Sequence, residues 1–256
     1  MGWQVREVLK RDAFGRVERL EDESGASLLR RVACGGGMPG SGLVARYLQR
    51  RERAALIALE GVQGVPRVVE EESALRAVAA GEPPPRLVEL SLREWVVGAP
   101  LHRAELLPAD FFDHLDRLVE SLHARGVCHN DLHKEMNVIV GCDGFPWLID
   151  FQLASLHPGR GRSFRARVRD DLRHVQKHRR RYLRDGRGPK GARIAAGRGH
   201  GLERRGLARV WRRTGKPLYN GITRGILRTS DGEERRPSSG PWPSWSEALG
   251  ERPARD

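Results

Sequence analysis

HNDLHKEMNVIVGCDGFPWLIDFQLA, residues 129–154, decides how the chain is read. Val138-Ile139-Val140 is a β-branched run, Gly141-Cys142-Asp143-Gly144 is turn chemistry, and Trp147-Leu148-Ile149 is a second apolar run. Two short strands about a Gly/Asp turn predict a β-hairpin. With Val140 opposite Trp147, Val138 meets Ile149 and Asn137 meets Asp150, and opposed residues lie about 5 Å apart. An amide oxygen and a carboxylate then converge at the open end of the hairpin. Two hard oxygens with space for waters and a phosphate suit Mg²⁺, which rarely takes an all-protein cage. Asp131 follows a turn after His129 and reaches the same space. An acid beside a metal-held nucleotide can orient or deprotonate an attacking hydroxyl.

HNDLHKEMN followed by IDFQLA resembles the catalytic and metal loops of the protein-kinase-like superfamily, whose pattern is H-R-D-x-x-x-x-N and then D-F-G. By that resemblance Asp131 is the catalytic acid, Asn137 and Asp150 hold Mg²⁺, and His129 props up the catalytic loop. There are two departures: five residues separate Asp131 from Asn137 where most kinases have four, and Gln152 replaces the Gly of D-F-G. Variants of the second kind occur in RIO-type and lipopolysaccharide (Kdo) sugar kinases. The stretch is also similar to small bacterial kinase-like proteins that carry H-N-D-L-x-K-E-x-N with D-F-Q-L-A and share the longer loop.

Upstream, Gln4 to Leu9, Arg16 to Leu20 and Ser27 to Val32 read as three strands of an antiparallel meander. In a kinase the first turn would cover the phosphates, but only Gly15 stands there, which is weak support for phosphate binding. The third strand should carry a phosphate-gripping Lys. It has Arg30 and Arg31 instead, whose side chains point to opposite faces. Arg30 is preferred, because the Arg-bearing strand before Gly35-Gly36-Gly37 resembles that of the Kdo-kinase-like proteins; Arg31 stays open as the alternative. The period over Leu43 to Leu59 predicts a helix with Val44, Leu48, Ala55 and Leu59 on one face. Glu52 falls on that face and needs either a cationic partner or an outlet to solvent. The third-strand arginine is the expected partner, as in the strand–helix ion pair of kinases.

Beyond this, Arg67 to Val69 and Leu75 to Ala79 are short strand candidates, and Leu87 to Val97 lies where a kinase hinge would pair with adenine. Pro108 to Arg125 is the clearest amphipathic helix, with Phe111, Leu115, Leu118 and Leu122 in register and Gly126 placed to end it. It gives the following loop a rigid mount. Ser163 to Arg184 is a second amphipathic stretch, in which Asp170 or Asp171 could tie down the catalytic-loop backbone. Tyr219 to Leu227 is expected to close the domain, and 229–256, rich in Pro, Ser, Gly and charge, reads as a disordered tail.

The chain has 256 residues and a net charge of +13. Residues 159–216 hold 21 Lys and Arg against four acids, so the basic character is local. That region suits RNA, an anionic membrane surface or an acidic substrate, or is a solvated charge face. Three cysteines without metal spacing, a polar N-terminus and no membrane-length apolar run point to a reducing compartment. The expected place is the cytoplasm or the inner membrane surface.

The expectation is therefore an α+β, two-lobed protein-kinase-like domain over 1–228. An antiparallel-sheet N-lobe would run to about residue 97, and a mainly helical C-lobe from 98 to 228. The resemblance implies transfer of the ATP γ-phosphate to a hydroxyl on a protein serine or threonine or on a glycolipid sugar. Arg30 and Glu52 would serve ATP. A second expectation, prompted by the missing Lys and the single Gly, is a pseudokinase that binds ATP or RNA as a scaffold.

Overall fold

A computed structural model describes residues 2–12, 15–34, 40–77, 87–104 and 107–184. The expected tail at 229–256, the closing segment at 219–227, the glycines at 35–37 and the basic stretch beyond 184 lie outside the described residues.

The architecture is mixed α+β. Strands β1 (Gln4–Asp12), β2 (Gly15–Glu21), β3 (Ser27–Cys34), β4 (Val68–Val69) and β5 (Leu87–Glu94) form one antiparallel sheet in the order β1-β2-β3-β5-β4. The expected meander is its first half. Gly15 owes its identity to close approach: a Cβ there would sit 2.0 Å from the Val32 carbonyl oxygen. Only glycine lets β2 run this close to β3 at its start.

β3 is apolar on both faces, so both sides of the sheet are covered. Leu28 joins Leu20 and Leu92 in a small core against Ala74. Ala74 belongs to α2 (Glu72–Leu75), a short helix whose start is capped by the Glu71 side chain. This corrects the strand expected from Leu75: the acid at the cap position turns the chain into a helical turn instead. On the other face, α1 (Ser41–Ala58) packs against β3 and β5. Its buried positions are Ser41, Ala45, Gln49, Glu52, Ala55 and Leu56, while Val44 is exposed. The expected face holds in the second half of the helix, where Glu52, Ala55 and Leu59 are buried, and fails in the first half, where Ser41, Ala45 and Gln49 meet the sheet instead of Val44.

The larger core is built on α3 (Phe111–Ala124). Phe111, Leu115, Val119 and Leu122 are fully buried, each stabilising by about 1.5–3 kcal/mol relative to exposure. Gly126, at φ 74, ends the helix as its sequence position predicts. The chain then enters β7 (Val127–Cys128), which pairs with β10 (Ser155–Leu156). β6 (Gly98–Pro100), β8 (Val138–Gly141) and β9 (Pro146–Leu148) form a third small antiparallel sheet. α4 (Arg162–Arg184) closes the described part, placing Val175 and Tyr182 in the α3 core.

The expected hairpin exists, as β8–β9, but its register differs by one residue. Val138 pairs with Leu148, Ile139 with Trp147 and Val140 with Pro146. The reason is the turn. Gly141 and Phe145 pair across a three-residue loop, and Gly144 takes φ 82. This is the three-residue hairpin in which a glycine at positive φ ends a tight turn. The expected pairing assumed a longer loop.

Candidate active site

The register change moves Asn137 opposite Ile149, whose N–H donates to the Asn137 carbonyl at 3.0 Å. Asp150 is therefore one step past the ladder instead of directly across from Asn137. Its backbone turns to φ 64, ψ 61, a left-handed conformation that aspartate tolerates better than most residues. The turn ends the strand and aims the carboxylate back toward β3.

There it meets Arg31. Arg31 Nη2 lies 3.3 Å from Asp150 Oδ1, and Arg31 Nε lies 3.0 Å from Glu52 Oε2. The expected Arg30–Glu52 pair does not form. Arg30 points through the opposite face of the sheet, is 3% exposed, and bonds Glu18 at 2.7 Å. Its guanidinium also donates to the carbonyls of Ala74, Leu75 and Ala77. Strand alternation permits only one of two adjacent arginines on the α1 side, and Glu18, directly opposite Arg30 in the β2–β3 register, claims the other. A second arginine, Arg93 of β5, approaches Glu52 Oε1 at 3.9 Å. Burial pulls the Arg93 pKa down, and the Glu52 charge opposes that shift. Glu52 thus sits between two guanidinium groups. The residue before it, Arg51, donates to the carbonyls of Leu153 and Ala154, just beyond Asp150.

Asp131, 3% exposed, is held close to Asn137. Asn137 Nδ2 donates to Asp131 Oδ2 at 3.0 Å and to the Asp131 carbonyl at 3.1 Å. His133 Nδ1 stands 3.0 Å from Asp131 Oδ1, and Lys134 Nζ 3.6 Å from Oδ2. Burial alone would raise the Asp131 pKa. The His133 hydrogen bond and the charges of Lys134 and His133 outweigh it and hold the carboxyl below its ordinary value. The acid is ionised at neutral pH.

The loop carrying Asp131 is fixed from behind. Of the two acids expected near it, Asp171 of α4 does the tying: its carboxylate accepts the His129 and Asn130 backbone N–H groups, each at 2.9 Å. Asp170 faces solvent. His129 is fully buried, packs its ring on Phe151 and reaches the Ile149 carbonyl through Nε2 at 3.0 Å. It bridges the loop and the end of the hairpin, a supporting position. α4 adds two further ties. His178 Nε2 lies 2.8 Å from the Leu132 carbonyl, and Glu135 is held by Arg181 and by the Tyr182 hydroxyl.

The residues present fit a divalent cation. The Asn137 amide NH₂ is turned to Asp131, which leaves its oxygen as the outward donor. Asp150 spends one oxygen on Arg31, and the other carries no hydrogen bond among the described residues. Two hard oxygens are the kind of donor that could supply the protein share of a Mg²⁺ site. A buried group of His123, Cys128 and Asp171 also has ligand-type atoms within 4.8 Å of one another. Both Asp171 oxygens there are already taken by backbone N–H groups, and burial pushes the Cys128 thiol up to about 12. That group is a hydrogen-bonded mount, not a metal centre.

Next to Arg31 a cleft of about 370 Å³, counting its open mouth, is lined by Lys10, Gly15, Arg16, Val32, Gln49 and Gln152 among others. Lys10, Arg16 and Arg31 give that lining a cationic character. Among the described residues no helix is long and apolar enough to cross a membrane. No protein-family model matches the chain, and no curated protein matches it in sequence.

Proposed function

We propose that the chain is an atypical kinase-like phosphotransferase that moves the γ-phosphate of ATP to a hydroxyl. The observation that carries this reading is the pairing of Arg31, which lines the cleft, with two acids from different elements. Asp131 and Asn137 share a hydrogen bond, while Arg31 ties Asp150 to Glu52. In this reading the sheet with α1 is one lobe, and the α3–α4 part is the other. Asp131 accepts or orients the acceptor hydroxyl. Arg31, not Arg30, grips the nucleotide phosphates, positioned by Glu52. Asn137 and Asp150 would hold Mg²⁺, which supplies charge neutralisation across the phosphates. Catalysis of this kind is mostly positioning and charge stabilisation. The fixed mount from Asp171 and the buried Asn137–Asp131 contact therefore support it. The acceptor is a protein serine or threonine or a glycolipid sugar, in a chain operating in the cytoplasm or at the inner membrane surface.

A scaffold that binds ATP or RNA without turnover is favoured by one observation. Arg31 already engages Asp150 directly, and that contact must be shared or released for both to serve ATP and Mg²⁺.

The test is ATP turnover with Mg²⁺ by wild type, Asp131→Asn and Asp150→Ala, with and without a bacterial lysate as acceptor. Turnover and labelling by wild type alone is the expected result. Equal inertness of all three with retained ATP binding selects the scaffold. Wild-type rates in Asp150→Ala refute the reading.

A further inference from the structure

Helix α4 carries opposite chemistry on its two sides. Phe164, Asp171, Val175, His178 and Tyr182 are buried on the inner side. At 100° per residue, Arg162, Arg165, Arg169, Arg173, Lys177 and Arg180 fall on the opposite side, and all six are exposed. They recur at steps of three or four residues and make one straight row about 27 Å long at 1.5 Å rise per residue. An exposed helix usually mixes signs along such a row to form pairs with itself. Here a single acid, Asp170, touches the row, at 3.1 Å from Arg173. Arg162, Arg165, Arg169, Lys177 and Arg180 have no acidic partner among the described residues. Three other cations of the helix have partners of their own: Arg167 on Asn130, Arg179 on Asp113 and Asp116, and Arg181 on Glu135.

We propose that this outer row binds the phosphodiester backbone of a nucleic acid. Like charges at helical spacing repel one another, so a row of six cations met by one acid is stabilised by a polyanion lying along it. Five of the six cations are arginine, whose planar fork takes phosphate oxygens two at a time. An apolar insertion into a bilayer has no residues to use. The exposed large hydrophobic side chains of the described part lie on other elements, and the apolar side of α4 is already in the core. The sequence that follows directly, DGRGPKGARIAAGRGHG (185–201), interleaves Arg and Lys with Gly. That composition is typical of segments that track single-stranded nucleic acid without reading bases. The proposal is independent of the phosphotransfer reading, since no residue of the row belongs to the candidate active site.

The full-length chain is titrated with a short single-stranded RNA, a duplex DNA of the same length, and phosphatidylcholine vesicles containing phosphatidylserine, at several salt concentrations. The variants are Arg165→Gln/Arg169→Gln/Lys177→Gln and a charge-matched control, Arg6→Gln/Arg53→Gln/Arg76→Gln, exposed arginines outside α4. The expected result is binding to RNA or DNA, with the α4 variant's log Kd–log salt slope on RNA shallower by about 2, at about 0.7 per phosphate lost. The control should keep the wild-type slope. If the triple variant melts early, Arg169→Gln and Lys177→Gln singly should each reduce the slope by about 0.7. Retention on vesicles without nucleic-acid binding overturns the proposal. So does an unchanged slope in the α4 variants, or an equal loss in the control.

Discussion

Replacing Asp171 with Asn keeps the side-chain shape and removes what the loop depends on. The Asp171 carboxylate, 1% exposed, accepts two backbone N–H groups at 2.9 Å, and His123 Nε2 lies 3.2 Å from the same group. An amide has one oxygen, so one of the two donors would face an NH₂ and lose its acceptor. The other hydrogen bond would lose the charge. Hydrogen bonds to charged groups contribute about 1.5–3 kcal/mol each, and a buried donor left unpaired costs about 1–3 kcal/mol. The substitution should therefore destabilise by about 3 kcal/mol. In a domain of this size 1 kcal/mol moves the melting midpoint by about 2–4 °C, so the midpoint should fall by about 9 °C. Asp170→Ala is the matched comparison. Asp170 is 66% exposed and, among the described residues, pairs only with the exposed Arg173, so its loss should change stability by less than about 0.5 kcal/mol. Thermal and urea unfolding of the three proteins measure both. A midpoint for Asp171→Asn within about 2 °C of wild type, or an equal fall in Asp170→Ala, would refute the view that Asp171 is the anchor of the loop.

The two neighbouring arginines of β3 should separate stability from activity. Arg30→Met leaves the fully buried Glu18 with Arg16 as its remaining cation among the described residues and removes the donor to three carbonyls, and should cost about 3 kcal/mol in urea unfolding; Arg31→Met should leave the fold closer to wild type while abolishing phosphotransfer, and the reverse pattern would return the nucleotide role to Arg30. Burial, with help from Arg173 and His133, holds the His174 pKa down to about 4 against an ordinary 6.5. The unfolded chain therefore binds more protons between those values, and stability should decline as pH falls from about 6.5 toward 4. Asp131 is shifted in the same direction, and its effect falls at lower pH, beginning near the ordinary carboxyl value of 3.8. Its lowered carboxyl contributes stability above the unfolded value, and that contribution is lost as pH drops through the folded one. Melting midpoints across this range should show a shallower pH dependence in His174→Gln than in wild type; parallel curves would remove His174 from the account.

Much of this arrangement could be read from residues alone, and the failures have physical causes. The apolar period of α3 and its glycine stop were legible because a helix buried along one side leaves a strong pattern. The hairpin was legible too, but its register hung on loop length, and only the positive φ of Gly144 sets that. The choice between Arg30 and Arg31 could not come from alternation, since β3 is apolar on both faces. A signal was available elsewhere. A turn at Asp22–Gly25 puts Glu18 opposite Arg30, and a cross-strand acid would have claimed that arginine first. Arg93 was missed for a similar reason: it shares a face with Ser91, which pairs with Arg31 across the sheet. The first half of α1 was misread because Ser41 and Gln49, not apolar residues, mark its inward side there.

Arg51 and Glu52 are consecutive on α1, so their side chains leave the helix about 100° apart. One is fastened to the carbonyls that follow Asp150, the other to the arginine that touches Asp150 itself. Two fastenings at that angle fix both the distance of the helix from the cleft and its rotation about its own axis. A small turn that slackens one drags on the other. A displacement of α1 is therefore felt at Asp150 through two separate contacts, one to the backbone that follows it and one to the arginine on its carboxylate.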